Sequence, residues 1–187
     1  MSMMGKMLHE AGMPLDLVYM VSAESNFNVR ARSNKNAVGL WQFIASTGRI
    51  YGLKINRWID ERRDPILSTK AAITYLKHLY GLFGDWELAM AAYNTGEGRV
   101  KRAIKLAKRK GQKHNYSSLR LPRETRNYVP AIMALSVIYK NPERYGFGHV
   151  KKMPPMDETQ GNLLVAFSLE EVAKRSKMSF RTLRELN

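Results

Sequence analysis

The chain of 187 residues contains no cysteine. This absence excludes disulfides, thiolate metal sites, iron–sulfur clusters and cysteine nucleophiles together. Long apolar runs are missing as well, because no stretch approaches the roughly 18 uncharged apolar residues that a membrane-spanning helix needs. Residues 1–12 include Lys6, His9 and Glu10 and lack a continuous apolar run, so they do not resemble a secretory signal peptide. We therefore expect either a cytosolic protein or one whose leader is absent from this chain.

Acidic residues are scarce. Against 31 Lys and Arg there are only 16 Asp and Glu, which gives a formal net charge of +15 at pH 7. A surface of that sign attracts polyanions, and nucleic acid, anionic lipid and an acidic cell-wall polymer all fit. A basic surface that only serves solubility is the remaining interpretation.

Strand-like alternation is almost absent before the C-terminal end, and the apolar spacing predicts a mainly α-helical protein. Proline suits the first turn of a helix, so helices are expected to begin near Pro14, Pro65 and Pro122. The second of these helices is expected to stop before Gly81 and Gly84. Two further helices are predicted at residues 86–93 and 100–110, and a polar loop is predicted at residues 26–39.

The composition changes near residue 145, which predicts a division of the chain. Residues 1–145 have the length of one ordinary domain. Residues 146–160 contain several Pro and Gly and are predicted to be a linker. Residues 161–187 remain as a small C-terminal element, in which one short strand and two short helices are predicted.

Glu24 is the strongest candidate for chemistry. Its spacing places it on the same helical face as Leu17 and Met20, so its carboxyl group is expected to be partly desolvated. Desolvation raises the pKa of a carboxyl group, and an acid that stays protonated near neutral pH can protonate a leaving group. On the residues alone, the alternative is an edge glutamate that reaches water or pairs with Arg30 or Arg32.

Four blocks in a fixed order carry a resemblance to a known family. They are Glu24-Ser25, Gly39-Leu40-Trp41-Gln42-Phe43, Ala92-Tyr93-Asn94-Thr95-Gly96 and Glu124-Thr125-Arg126-Asn127-Tyr128-Val129. Together, over about residues 8–145, they resemble the SLT-type lytic transglycosylases, whose catalytic domain is goose-lysozyme-like. The spacing and residues 46–63 are most similar to the membrane-bound lytic murein transglycosylase D type. The resemblance implies a lysozyme-like helical domain with a substrate cleft over residues 1–145.

The resemblance also implies roles for individual side chains. Glu24 matches the catalytic acid and base of the family. Substrate-binding roles are implied for Ser33, Gln42, Tyr93, Asn94, Glu124 and Tyr128. These residue types suit sugars, because amides and hydroxyls pair with hydroxyl and acetamido groups and aromatic faces pack on sugar rings. Taken singly, Gln42 is equally typical of a loop cap and Tyr93 of a core residue.

The implied reaction cleaves peptidoglycan at the β-1,4 bond between N-acetylmuramic acid (MurNAc) and N-acetylglucosamine (GlcNAc) without water. One glutamate acts as acid and then as base, and the product carries a 1,6-anhydroMurNAc end. No cofactor is implied, and the four histidines lie too far apart to suggest a metal motif. The alternative is a lysozyme-type hydrolase, which needs a second carboxylate. The candidates for that carboxylate are Asp60, Asp64, Glu97 and Glu124.

The implied partner is the glycan strand of peptidoglycan. The predicted helix at residues 100–110 carries six Lys and Arg. This face is either simply solvated or contacts the stem carboxylates of peptidoglycan, an anionic wall polymer or a membrane surface. We expect a monomer in the cell envelope, periplasmic or associated with the outer membrane, or a secreted one, with no specific nucleic-acid partner.

The C-terminal element allows two interpretations. Two short helices around a tight turn, with basic residues on the second, are typical of a helix-turn-helix DNA-binding motif. The same residues 161–187 resemble an incomplete LysM-like glycan-binding module that lacks its final strand. Because the preceding domain resembles a wall enzyme, we favour the LysM-like interpretation. A basic helical nucleic-acid-binding protein remains the alternative function class.

Overall fold

A computed structural model describes residues 2–150, 167–181 and 183 of the chain. The chain divides into two compact units, residues 1–150 and 151–187. The described residues contain helices and isolated β-bridges but no strands, so the prediction of a mainly α-helical protein is confirmed. None of the helices in the described ranges combines the length and the apolar character needed to cross a bilayer.

Among the described residues, seven α-helices lie in the first unit and one lies in the second. They are α1 (Met3–Glu10), α2 (Tyr19–Ser25), α3 (Ala45–Ile50), α4 (Pro65–Phe83), α5 (Trp86–Thr95), α6 (Glu97–Arg109), α7 (Arg123–Lys140) and α8 (Leu169–Ser176). Short 3-10 helices occupy Leu15–Val18, Glu61–Arg63, Tyr116–Ser118 and Glu143–Tyr145.

Helix α4 begins as the sequence predicts, and it ends at the second of the two glycines expected to end it. The Asp64 carboxylate accepts the backbone N–H groups of Ile66 and Leu67 at 2.8 and 2.7 Å, and Pro65 occupies the first turn. Of the two glycines predicted to end the helix, Gly81 does not end it, whereas Gly84 does. Glycine costs a helix only about 1 kcal/mol relative to alanine, so α4 continues until Gly84 adopts a left-handed conformation with φ of 64°.

Helix α5 is the centre of the first unit. Its small side chains Ala89, Ala91 and Ala92 are fully buried, which lets α4, α6 and α7 pack closely around it. Trp41 from the loop region is also fully buried, and its indole N–H donates to the Thr69 hydroxyl on α4 at 2.9 Å. The loop before α3 is thereby anchored to the core.

Helix α7 packs against α2, and a polar cluster holds the far end of this pair. The Ser136 hydroxyl donates to the Asp16 carboxylate at 2.6 Å, and the Lys140 ammonium lies 2.5 Å from the same carboxylate oxygen. This cluster fixes the position of α7 relative to the chain segment that enters α2.

The second unit contains α8, which Ser168 caps by accepting the Glu171 N–H at 3.2 Å. Residues 180, 181 and 183 are also helical. The predicted strand at residues 163–167 lies outside the described residues except for its last position, and so does the predicted linker beyond residue 150. The LysM-like and DNA-binding interpretations of this element therefore stay predictions.

Candidate active site

A cleft of about 620 Å³ opens in the first unit and brings together residues from four separate blocks of sequence. Six of the predicted site residues line it: Glu24, Ser33, Gln42, Tyr93, Asn94 and Glu124. The seventh, Tyr128, is not among the lining residues. Its hydroxyl instead donates to the Glu24 carboxylate at 2.5 Å.

Glu24 lies in the last turn of α2, where the chain turns sharply because Asn26 adopts a left-handed conformation. Burial raises the pKa of Glu24, the Tyr128 hydrogen bond lowers it, and the charge of Glu124 raises it again, with a result of about 7. Such a group exchanges its proton readily near neutral pH. Arg32 forms no ion pair with Glu24 in the described residues, and its guanidinium instead donates to the Asn36 side chain at 2.7 and 3.2 Å.

The polar loop after α2 forms one wall of the cleft. The Ser33 hydroxyl accepts the backbone N–H groups of Lys35 and Ala37 at 3.3 and 3.1 Å, so its own proton remains for another acceptor. At the loop's other end, Gln42 adopts φ of 47° and its amide nitrogen donates to the Gly39 carbonyl at 2.8 Å. The carbonyl oxygen of Gln42 is the part of this side chain that remains for a ligand.

Arg62 holds this loop from beneath. It is 7% exposed, and it donates to the backbone carbonyls of Asn36 and Phe43 at 3.0 and 3.1 Å. Asp60 balances its charge through two side-chain hydrogen bonds of 2.8 and 2.7 Å. Burial acts to raise the pKa of Asp60, but the hydrogen bonds and charge of Arg62 outweigh it and leave that pKa lowered.

Two consecutive residues at the end of α5 form the opposite side. The Tyr93 hydroxyl donates to the Trp41 carbonyl at 2.7 Å, and burial holds its pKa well above the ordinary value. The Asn94 side-chain oxygen accepts from the Thr125 hydroxyl at 2.8 Å. Thr125 is only 1% exposed, so it fixes the Asn94 amide with its nitrogen available to the cleft.

Sequence reasoning missed the aromatic floor of the cleft. Tyr75 on α4 lines the cleft, and its ring centroid lies 4.6 Å from Tyr51 and 5.2 Å from Tyr93. Burial raises the pKa of Tyr75 to about 12, so it stays a neutral phenol. Its helical spacing predicts only a buried core residue, because nothing in the sequence distinguishes a tyrosine in a cleft from one in the interior.

The four candidates for a second carboxylate have different surroundings. Asp60 pairs with Arg62, Asp64 caps α4, and Glu97 binds Lys101 and His78. Only Glu124, which is exposed, shares the cleft with Glu24. Within the described ranges, no group of three or more His, Asp or Glu side chains could hold a metal ion.

The sequence matches the family model of the transglycosylase SLT domain over residues 3–116. The chain belongs to this family. It is 47% identical over 169 residues to the membrane-bound lytic murein transglycosylase D of Escherichia coli strain K12. The aligned residues make up 89% of this chain and 36% of that protein. The chain thus spans about a third of the length of this curated relative.

Two solved structures share the fold. An inactive mutant of lytic transglycosylase Slt from Pseudomonas aeruginosa covers 77% of this chain and 24% of its own, with a TM-score of 0.57 and 23% identity. The 70 kDa soluble lytic transglycosylase from Escherichia coli covers 73% of this chain and 22% of its own, with a TM-score of 0.51 and 24% identity. The predicted family and the predicted lysozyme-like helical fold are therefore confirmed.

Proposed function

We propose that this protein is a peptidoglycan lytic transglycosylase whose catalytic domain occupies residues 1–145. The observation that carries the proposal is Glu24, a carboxyl group with a pKa of about 7 in a cleft lined by amides, hydroxyls and aromatic rings. The relatives support it, because the similar protein and both proteins of known structure are lytic transglycosylases.

In the proposed reaction, Glu24 first donates its proton to the glycosidic oxygen between MurNAc and GlcNAc, and the bond from that oxygen to the anomeric carbon breaks. The resulting carboxylate then takes the proton of the MurNAc 6-hydroxyl as that oxygen bonds to the anomeric carbon. The products are a free GlcNAc end and a 1,6-anhydroMurNAc end. Glu24 regains its starting protonation state, and no water is consumed.

The other cleft residues are proposed to hold the glycan strand. The Gln42 carbonyl and the Ser33 hydroxyl face the strand from one wall, and the Asn94 amide nitrogen faces it from the other. Tyr93 is proposed to contact a sugar ring. Tyr128 acts through Glu24, as a positioning residue for the acid.

The proposed partner is a strand in the cell envelope, periplasmic or outer-membrane-associated, or outside the cell, with the protein acting as a monomer. The basic face of α6 is proposed to contact anionic groups there. No specific nucleic acid is expected, because the whole proposal rests on a sugar-binding cleft.

The test is mass spectrometry of peptidoglycan digested by the purified protein. Anhydro ends are expected, whereas reducing ends that have gained a water molecule would establish the lysozyme-type hydrolase instead, with Glu124 as the candidate second carboxylate. The Glu24→Gln variant keeps the shape of the side chain and removes its transferable proton. We expect turnover to fall by roughly 10²–10⁴-fold, with strand binding retained. Turnover within a few-fold of wild type would remove Glu24 from the mechanism.

A further inference from the structure

Helix α6 carries an unusual concentration of positive charge. Residues 97–113 hold eight Lys and Arg against one Glu, so this short segment supplies about half of the chain's net charge of +15. The single acid, Glu97, is occupied: its carboxylate lies 2.7 Å from the Lys101 ammonium and 2.9 Å from a ring nitrogen of His78. Among the described residues, ion pairs therefore balance little of the positive charge on α6.

Four of these cations form one line along the helix. Arg99, Arg102, Lys105 and Arg109 follow each other at three- and four-residue spacing, so they share one face, and all four are exposed. We call them the basic stripe. It is about 15 Å long by the rise of an α-helix. Within the described part of the chain, no carboxylate lies within ion-pair distance of Arg102, Lys105 or Arg109.

The basic stripe begins at the cleft. Thr95 and Gly96, the residues just before α6, both line the cleft. The Arg99 guanidinium donates to the Thr95 hydroxyl at 3.3 Å, which places the first cation of the stripe at the rim. A polymer that extends beyond this rim therefore meets a row of exposed cations, three of which have no carboxylate partner among the described residues.

We propose that the basic stripe binds the carboxylates of the peptide stems on the glycan strand that occupies the cleft. The inference rests on the proposed function, because the strand provides the anions. Guanidinium groups match carboxylates with paired hydrogen bonds, and the stripe holds three of them. The continuity with the cleft favours a substituent of the bound strand over an independent surface such as a membrane. The protein is thus selective for stem-bearing strands over uncharged ones.

The experiment measures binding in the Glu24→Gln variant, so that the strand is not consumed. The probes are soluble peptidoglycan strands with free stem carboxylates, the same strands with those carboxylates chemically amidated, and vesicles containing phosphatidylglycerol. The stripe variant adds Arg102→Gln, Lys105→Gln and Arg109→Gln. The matched control adds three changes of equal charge elsewhere, on exposed Lys6 of α1 and exposed Lys70 and Lys77 of α4.

In Glu24→Gln without further changes, the parent protein of this experiment, we expect tighter binding of strands with free stem carboxylates (free strands) than of amidated strands. The stripe variant is expected to lose this preference, with about tenfold weaker binding of free strands from three exposed charge contacts. The control variant is expected to retain it. A preference that also disappears in the control would reduce the effect to net charge and overturn the inference.

Two further outcomes separate the stripe from the catalytic proposal. Equal binding of free and amidated strands by the parent overturns the role of the stripe but leaves the proposed reaction intact. Absence of binding to either strand, together with absence of anhydro products from the wild-type protein, overturns both. If the stripe variant loses only vesicle binding, the face contacts lipid and the inference is wrong.

Discussion

The phenol of Tyr128 on α7 donates a 2.5 Å hydrogen bond to the Glu24 carboxylate on α2. Burial raises the pKa of Glu24, this hydrogen bond lowers it, and the charge of Glu124 raises it again. Glu124 lies one turn before Tyr128 on the same helix. A single helix therefore supplies both opposing influences on the proton of Glu24, and substitutions at the two positions have opposite effects.

The first prediction concerns Glu124→Gln. Removing this negative charge lowers the pKa of Glu24. As the pH is raised, Glu24 therefore loses its proton at a lower pH than in wild type. Because the pKa of Glu24 is about 7, we expect the alkaline limb of the pH dependence of kcat/KM to lie near that pH in wild type. In Glu124→Gln we expect this limb to move down by up to about one unit. The pH profile on soluble strands measures this. A limb that stays in place would show that Glu124 does not influence the acid.

The second prediction concerns Tyr128→Phe. This change removes the hydrogen bond that favours the ionised carboxylate, so the pKa of Glu24 rises. The same alkaline limb is expected to move to higher pH, opposite to the change in Glu124→Gln. A decrease in rate without any movement of the limb would contradict the prediction, since it would indicate a role for Tyr128 that does not pass through Glu24.

The third prediction links Glu24 to stability. Its pKa is about 7 in the folded protein and 4.5 ordinarily, so the folded state binds the proton more tightly. The free energy of unfolding should therefore fall as the pH rises from 4.5 to 7 and stay low above that range. Glu24→Gln lacks this dependence and should be more stable than wild type at about pH 8, by on the order of 1–3 kcal/mol.

Urea unfolding at both ends of this pH range measures the difference. Near about pH 4 the acid is protonated in both states, so wild type and Glu24→Gln should have similar stability. A stability gap that is the same at both pH values would mean that ionisation of Glu24 is not its cause.

The fourth prediction concerns Tyr93→Phe. The hydroxyl donates to the Trp41 carbonyl, and its loss leaves that carbonyl without this donor. We expect a loss of about 1 kcal/mol in the free energy of unfolding, and a smaller decrease in kcat than Glu24→Gln causes. Steady-state kinetics of the two variants side by side make the comparison. An equal or larger decrease for Tyr93→Phe would give its hydroxyl a direct part in the reaction.

The fifth prediction tests how the cleft loop is held. Gly39 has φ of 82°, and a Cβ added there would lie 1.9 Å from the Arg62 carbonyl oxygen. Gly39→Ala must therefore move the backbone of Arg62, and we expect a loss of at least about 3 kcal/mol of stability together with loss of activity. Gly52→Ala is the control, because Gly52 has a similar φ of 89° and open space around it.

Thermal unfolding of both variants separates the cost of the close approach to Arg62 from the cost of a left-handed alanine. Gly52→Ala should show only the backbone strain of a left-handed alanine, about 1 kcal/mol. Equal destabilisation by the two changes would mean that the close approach to Arg62 contributes nothing.

Local features of the fold were predictable from the sequence because their causes are local. Pro65 sets the start of α4, and the four-residue spacing from buried Met20 places Glu24 on an apolar face of α2. The error at Gly81 has a local cause too. A single glycine weakens a helix by less than the packing of a long, well-capped helix stabilises it.

Contacts between distant segments were not predictable in this way. The sequence indicated that Glu24 and Tyr128 belong to one site, but not that one donates to the other. Arg62 reads as one basic residue among many, and only the folded chain shows it buried beneath the cleft loop. The position of Tyr75 in the cleft depends on how three elements pack, which its own neighbours in sequence do not specify.

Each of the two amide side chains of the cleft uses one of its two polar atoms in a hydrogen bond within the protein. The Gln42 amide nitrogen donates to the loop backbone, and the Asn94 side-chain oxygen accepts from Thr125. The cleft is therefore left with one carbonyl acceptor on one wall and one amide donor on the other. An N-acetyl substituent carries the complementary pair, one donor and one acceptor, which a plain hydroxylated sugar cannot offer with the same fixed polarity.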